Sequence, residues 1–133
     1  MVKRVLLLVL AVLFASLFIS EPARAMTNQD IAQVTVDALA SSGYSTSVLV
    51  QDFDNNGERD LIVVYQGGKS GTQGELLATI SGIVISLGNK YGIRFDIVVM
   101  TNRDTSIIWG AQCQTLYSCT SVECIITAWS KLK

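Results

Sequence analysis

The chain has 133 residues, half of them hydrophobic, with 10 Lys+Arg against 11 Asp+Glu and no histidine. Such a length supports one small domain with a modest core. The charge balance, with no basic run, excludes a phosphate-neutralising nucleic-acid surface, and the lack of histidine excludes Ser-His and Cys-His nucleophile activation.

Residues 1–25 have the layout of a secretory signal peptide. Lys3 and Arg4 open it, an apolar run from Val5 to Ile19 is broken only by Ser16, and Ala23 and Ala25 take the small-residue positions before a cut after Ala25. The run is shorter than the roughly 20 residues of a membrane span. The expectation is therefore a secreted or periplasmic protein with no stable membrane insertion after cleavage. Its single domain, 26–133, loses three basic residues and one acidic residue with the leader, which leaves a net charge of −3.

A first helix is predicted over 28–42. Thr27 serves as N-cap, Asp30 lies in the first turn, and Ile31, Val34, Ala38 and Leu39 recur at helical spacing. Gly43 ends it. Strands are predicted over 47–53 and 59–66. Asn56-Gly57 between them is a hairpin signal, because both residue types tolerate positive φ. The second helix follows the loop GGKSGTQG, where Thr72 and Glu75 have capping-box spacing. Leu76, Leu77, Ile80, Ile83, Val84 and Leu87 form its apolar face. Gly82 costs a helix about 1 kcal/mol relative to alanine, and is expected where the helix packs closely on a sheet.

In the second half, Ile93, Phe95, Ile97 and Val99 alternate with Arg94 and Asp96, a strand with one buried face. TNRD turns the chain and 105–111 returns it. A third helix is predicted over 121–132, with Thr120 and Glu123 as capping box and Val122, Ile125, Ile126, Trp129 and Leu132 on one face. The order αββαββα gives an α+β fold, with a four-stranded antiparallel sheet of two hairpins packed with three helices. LIVVY, residues 61–65, is apolar on both faces, which requires cover from helices or from a second copy of the chain. The element order resembles the roadblock and longin-type domains at the level of fold, and this implies no function.

All three cysteines lie late, at Cys113, Cys119 and Cys124. Export permits one disulfide and leaves one thiol. Cys119 and Cys124 would point apart on a regular helix, so the expected bridge joins Cys113 to one or the other.

Chemistry concentrates in QDFDNNGERD, residues 51–60. Asp52, Asp54, Asn56, Gly57 and Asp60 form D-x-D-x-N-G-x-x-D, which resembles the calcium loops of EF-hands and dockerins, and more closely the strand-flanked loops of FG-GAP-type repeats. Calcium takes six to eight hard oxygens, and alternate acidic side chains around a sharp glycine turn can wrap it. The resemblance implies Asp52, Asp54, Asn56 and Asp60 as side-chain ligands and the Glu58 carbonyl as a further one. Val63 stands where an EF-hand places its bidentate glutamate. The competing reading is an acidic type I′ turn.

QGGKSGTQGE, residues 66–75, resembles a P-loop but has Val63 in place of the leading glycine and an acidic first helical turn, so no nucleotide is expected. These features together predict a small exported binding or structural module without catalysis. Its partner would be a protein or a cell-envelope component, or a second copy, and no cofactor is expected beyond calcium held weakly, if at all, by the acidic loop. The alternative is a hydrolase using the carboxylates of Asp52, Asp54 and Asp60.

Overall fold

The computed structural model describes residues 26–68, 73–103 and 106–132. The predicted leader at 1–25 and residues 69–72 lie outside the described residues, and with them the Thr72 of the capping box expected for the second helix.

Helix α1 (Asn28–Ser41) opens with a capping box. The Thr27 hydroxyl accepts the Asp30 N–H and the Asp30 carboxylate accepts the Thr27 N–H, both at 3.1 Å. Two N–H groups that no helical carbonyl can reach are thus satisfied. Gly43, at φ 95°, ends the helix in the left-handed region that a side chain disfavours. Strand β1 (Tyr44–Gln51) starts at once and pairs antiparallel with β2 (Asp60–Gly68), Val50 opposite Leu61. Helix α2 (Gln73–Tyr91) leads to β3 (Ile97–Asn102), and β4 (Ile108–Gln112) returns antiparallel to it. Two short helices, α3 (Cys113–Tyr117) and α4 (Val122–Ala128), precede a two-residue strand, β5 (Ser130–Lys131).

The class is α+β and both hairpins form, but the sheet and helix count depart from expectation. Among the described residues there are four helices and one five-stranded sheet in the order β1-β2-β3-β4-β5. The hairpins join through a parallel pair, β2 beside β3, with Leu61 opposite Val98. Parallel neighbours need a long crossover, and the 19-residue α2 supplies it.

The second hairpin also starts later than its alternation suggests. Ile93 and Phe95 are buried in irregular chain, and the strand begins only at Ile97. The inward side then changes parity, so Val98 and Met100 are fully buried while Ile97 and Val99 are half-exposed. Leu61, Val63, Val98 and Met100 share one core with Ile31 and Leu39 of α1 and with Leu77, Ile80 and Val84 of α2. The opposite side of the sheet, carrying Ile62, Val64, Ile97 and Val99, is only half-buried.

The C-terminal helix is broken in two. Ser121 replaces Thr120 as N-cap of α4 by accepting the Cys124 N–H at 3.1 Å, and the chain is extended again at Trp129. Trp129 is buried because its indole N–H donates to the Ser81 hydroxyl at 2.8 Å. That hydroxyl also donates to the Leu77 carbonyl, so both polar groups are satisfied inside the core. Beyond Trp129 the chain pairs with β4, and Leu132 lies over Gly110, where a Cβ would come within 2.8 Å of it.

The break also decides the disulfide. Cys119 bonds to Cys124, not to Cys113, across a Cα–Cα distance of 5.5 Å. The argument that two cysteines five apart diverge assumed one regular helix. With α3 ending at Tyr117 and α4 starting at Val122, the intervening turn brings them together. Cys113 is a free thiol, buried at the start of α3.

Gly82 departs from expectation as well. Nothing lies within 4 Å of where its Cβ would be, and it faces solvent. The close approach occurs at Gly88, whose Cβ would meet the Tyr117 ring at 3.3 Å.

Candidate metal centre

The acidic stretch is an eight-residue loop, 52–59, between β1 and β2. It is not a two-residue turn at Asn56-Gly57. Positive φ falls at Asn55 (59°) and Gly57 (88°), while Asn56 keeps an ordinary backbone. The loop curls around Asp52, whose two carboxylate oxygens accept the N–H groups of Asn56 at 3.0 Å and Gly57 at 2.7 Å. Asp and Asn side chains close such turns by standing in for backbone carbonyls. The type I′ reading is therefore overturned: Gln51 and Asp60 are the last paired residues of the two strands, eight residues connect them, and side chains organise that longer path.

Strand alternation places Asp60. Leu61 and Val63 point into the core, so Asp60 and Ile62 lie on the other side of β2. The loop folds back over Asp60 and leaves it only 5% exposed. Its Oδ2 accepts the Phe53 N–H at 3.1 Å, and its Oδ1 is buried with no partner among the described residues. A carboxylate oxygen shielded from water and left unpaired is costly. A small cation could satisfy it.

Asp52, Asp54 and Asp60 each bring a carboxylate oxygen into one group, all within 4.8 Å of one another. Three hard oxygens at that spacing can hold a metal ion. The electrostatics carry the same strain. Desolvation pushes the Asp52 carboxyl up, but the N–H groups of Gly57 and Asn56 outweigh it and set it below the ordinary 3.8. Asp54 is raised, first by desolvation, then by its side-chain bond to Asp52 and by repulsion from Asp60. The same contact thus shifts the two neighbouring carboxylates in opposite directions.

The other two positions of the calcium-loop pattern, the Asn56 carboxamide and the Glu58 carbonyl, are not carboxylates, and the side chains of both residues have other neighbours. The Asn56 carboxamide accepts the Glu58 N–H through Oδ1 at 2.9 Å and donates through Nδ2 to Asp96 Oδ2 at 2.8 Å. Glu58 lines a separate polar cleft of about 410 Å³ with Arg94, Asp96, Gln114 and Tyr117. There the Arg94 guanidinium stacks on the Tyr117 ring at 4.4 Å. No sequence signal pointed to Asp96, which lies 40 residues from Asn56 and meets it only because β3 is placed beside β2. Beside the carboxylates, Phe53, Ile62, Ile97 and Val99 line a shallow apolar depression that Asp54 and Asp60 border.

No family model, curated protein or solved structure matches the chain. Among the described residues no helix is long and apolar enough to cross a membrane.

Proposed function

We propose that the protein is a small exported binding module, without catalysis, whose acidic loop holds one calcium ion. The buried, unpartnered Oδ1 of Asp60 carries the reading, because Asp60 is one of three residues that each bring a carboxylate oxygen within 4.8 Å of the others. Calcium suits the donors better than a soft metal, since all are carboxylate oxygens and no histidine exists in the chain. Asp52, Asp54 and Asp60 would hold the ion, with waters completing its shell. Its contribution would be to neutralise the loop and fix Phe53 over the open side of the sheet, where a protein or envelope component docks. Without a deep cleft around them, the carboxylates lack the enclosed setting of a hydrolase.

Calorimetric titration of residues 26–133 with calcium tests this. A single site with a Kd in the range of about 0.1–1 mM is expected of an extracellular module with so few protein ligands. A flat titration up to 10 Kd of that range, roughly 10 mM, would leave an ordinary acidic loop.

A further inference from the structure

Asn56 sits at the position that the calcium-loop pattern gives to a side-chain ligand, yet both ends of its carboxamide are engaged elsewhere. Oδ1 accepts the Glu58 N–H at 2.9 Å and Nδ2 donates to Asp96 Oδ2 at 2.8 Å. Asp96 is itself fixed by its backbone. Its N–H donates to the Arg59 carbonyl at 2.7 Å and its carbonyl accepts the Cys113 N–H at 2.9 Å. The Asn56–Asp96 bond therefore ties the outer end of the acidic loop to the segment leading into β3. That segment is anchored in turn to Arg59, beside Asp60, and to the first residue of α3.

We infer that Asn56 is a positioning residue and not a ligand, and that its bond to Asp96 holds Asp52 and Asp54 in reach of the buried Asp60. This rests on the calcium reading above. Asp52 depends on the arrangement directly, since its carboxylate is held by the N–H groups of Asn56 and Gly57. If Asn56 turned to the ion, it would forfeit two short hydrogen bonds and leave the Asp96 carboxylate without this donor. Held as it is, it leaves the three carboxylates as the side-chain ligands, with the ion's other positions open to backbone carbonyls, to water or to an oxygen from a partner. Partners behind metal ligands are commonly worth tenfold or more in metal affinity.

The two roles predict opposite results at Asp96. Calcium affinity is measured calorimetrically at 0.5 M KCl, where longer-range charge effects are largely screened, for Asn56→Ala, Asp96→Ala, Asp96→Asn and the double alanine variant. As a positioning pair, Asn56→Ala and Asp96→Ala should each weaken calcium by about tenfold. The double variant should be no weaker than the weaker single one, because one bond is lost only once. Asp96→Asn keeps an acceptor for Asn56 and should stay within about twofold of the parent, which separates the bond from the charge. Melting in EDTA confirms that each variant folds. If Asp96→Ala is neutral or tighter while Asn56→Ala is weaker, Asn56 is a ligand released by the loss of Asp96, and the inference fails while calcium binding stands. If losses at the two positions add, they act separately and the inference also fails. If the parent protein binds no calcium, the calcium reading falls and takes this inference with it.

Discussion

Asp60 binds the backbone of Phe53 with one carboxylate oxygen, at 3.1 Å, and buries the other without a partner. The first contact belongs to the fold and the second, on the calcium reading proposed above, to the ion, so substitutions can separate them. Asp60→Asn retains an acceptor for Phe53 but removes the charge. It should leave stability in EDTA within about 1 kcal/mol of the parent, because the lost charge also relieves repulsion on Asp54. Its calcium affinity should fall by at least about tenfold. Asp60→Ala strands the Phe53 N–H and should cost roughly 1–3 kcal/mol even without calcium. Urea unfolding in EDTA, alongside calcium titration, reads both.

The fold itself should not depend on the ion. The core shared by α1, α2 and the inner side of the sheet contains none of the loop carboxylates. At about 5 mM calcium and a Kd between 1 and 0.1 mM, stabilisation is roughly 1–2.5 kcal/mol from RT ln(1 + [L]/Kd). Calcium should therefore raise the melting temperature modestly over EDTA, and chelation should leave near- and far-ultraviolet circular dichroism native. Unfolding on chelation would make the loop a structural site and contradict this account.

Alkaline pH should destabilise the protein through one buried and one half-buried acid. Burial, and then the charges of Asp96 and Asp60, push the Cys113 thiol from 9.0 to about 12. Burial also raises Tyr117 above its ordinary 10.0. In the unfolded chain both ionise nearer their ordinary values. The stabilising preference for the neutral forms is therefore complete below pH 9 and is lost as pH rises from 9 toward 12. Melting temperature should fall across that window. At pH 8 the Cys113 thiol should resist a thiol reagent in the folded protein and react at once in urea, since the reactive species is the thiolate.

The sequence made the acidic loop, α1 and the apolar core legible because each depends on local chemistry. A capping box needs only Thr27 and Asp30, and LIVVY marks a strand by its apolar run alone, although a run apolar on both faces does not say which side turns inward. What stayed hidden depends on placement across the chain. The parallel pairing of β2 with β3 requires knowing where α2 delivers Ile97. The Asn56–Asp96 bond and the split of the last helix follow from that placement and from the burial of Trp129 against Ser81. The calcium-loop pattern identified the three aspartates that meet, while its fourth side-chain position, Asn56, is engaged with β3's approach instead.

Gly82 offers a direct check on one such misreading. It lies in the middle of α2, exposed, with open space where a Cβ would go. Gly82→Ala should therefore stabilise the protein by about 0.5–1 kcal/mol, by removing backbone entropy from the unfolded chain at no steric cost. Gly88→Ala in the same helix should not, because the added methyl meets the Tyr117 ring at 3.3 Å. Chemical denaturation of the two variants gives the comparison, and equal gains would mean that Tyr117 yields freely.

The disulfide should matter locally more than globally. Cys119 and Cys124 close a loop with a sequence separation of 5, and α4 has no fully buried residue of its own. Chain entropy alone gives such a small loop about 2 kcal/mol. That stabilisation bears on the turn between α3 and α4, which must hold its shape for Trp129 to reach Ser81. Replacing both cysteines with serine should lower global stability by no more than about 2 kcal/mol. It should raise amide exchange first in 118–128, while β2, β3 and α2 remain protected, because their core lies on Leu61, Val63, Val98 and Ile80 rather than on α4. Exchange that accelerates equally in β2 and β3 would show that the bridge supports the whole domain. Calcium affinity should be unchanged in the same variant, since the acidic loop is tied to Asp96 and to β2 and makes no bond to α4 among the hydrogen bonds that hold it.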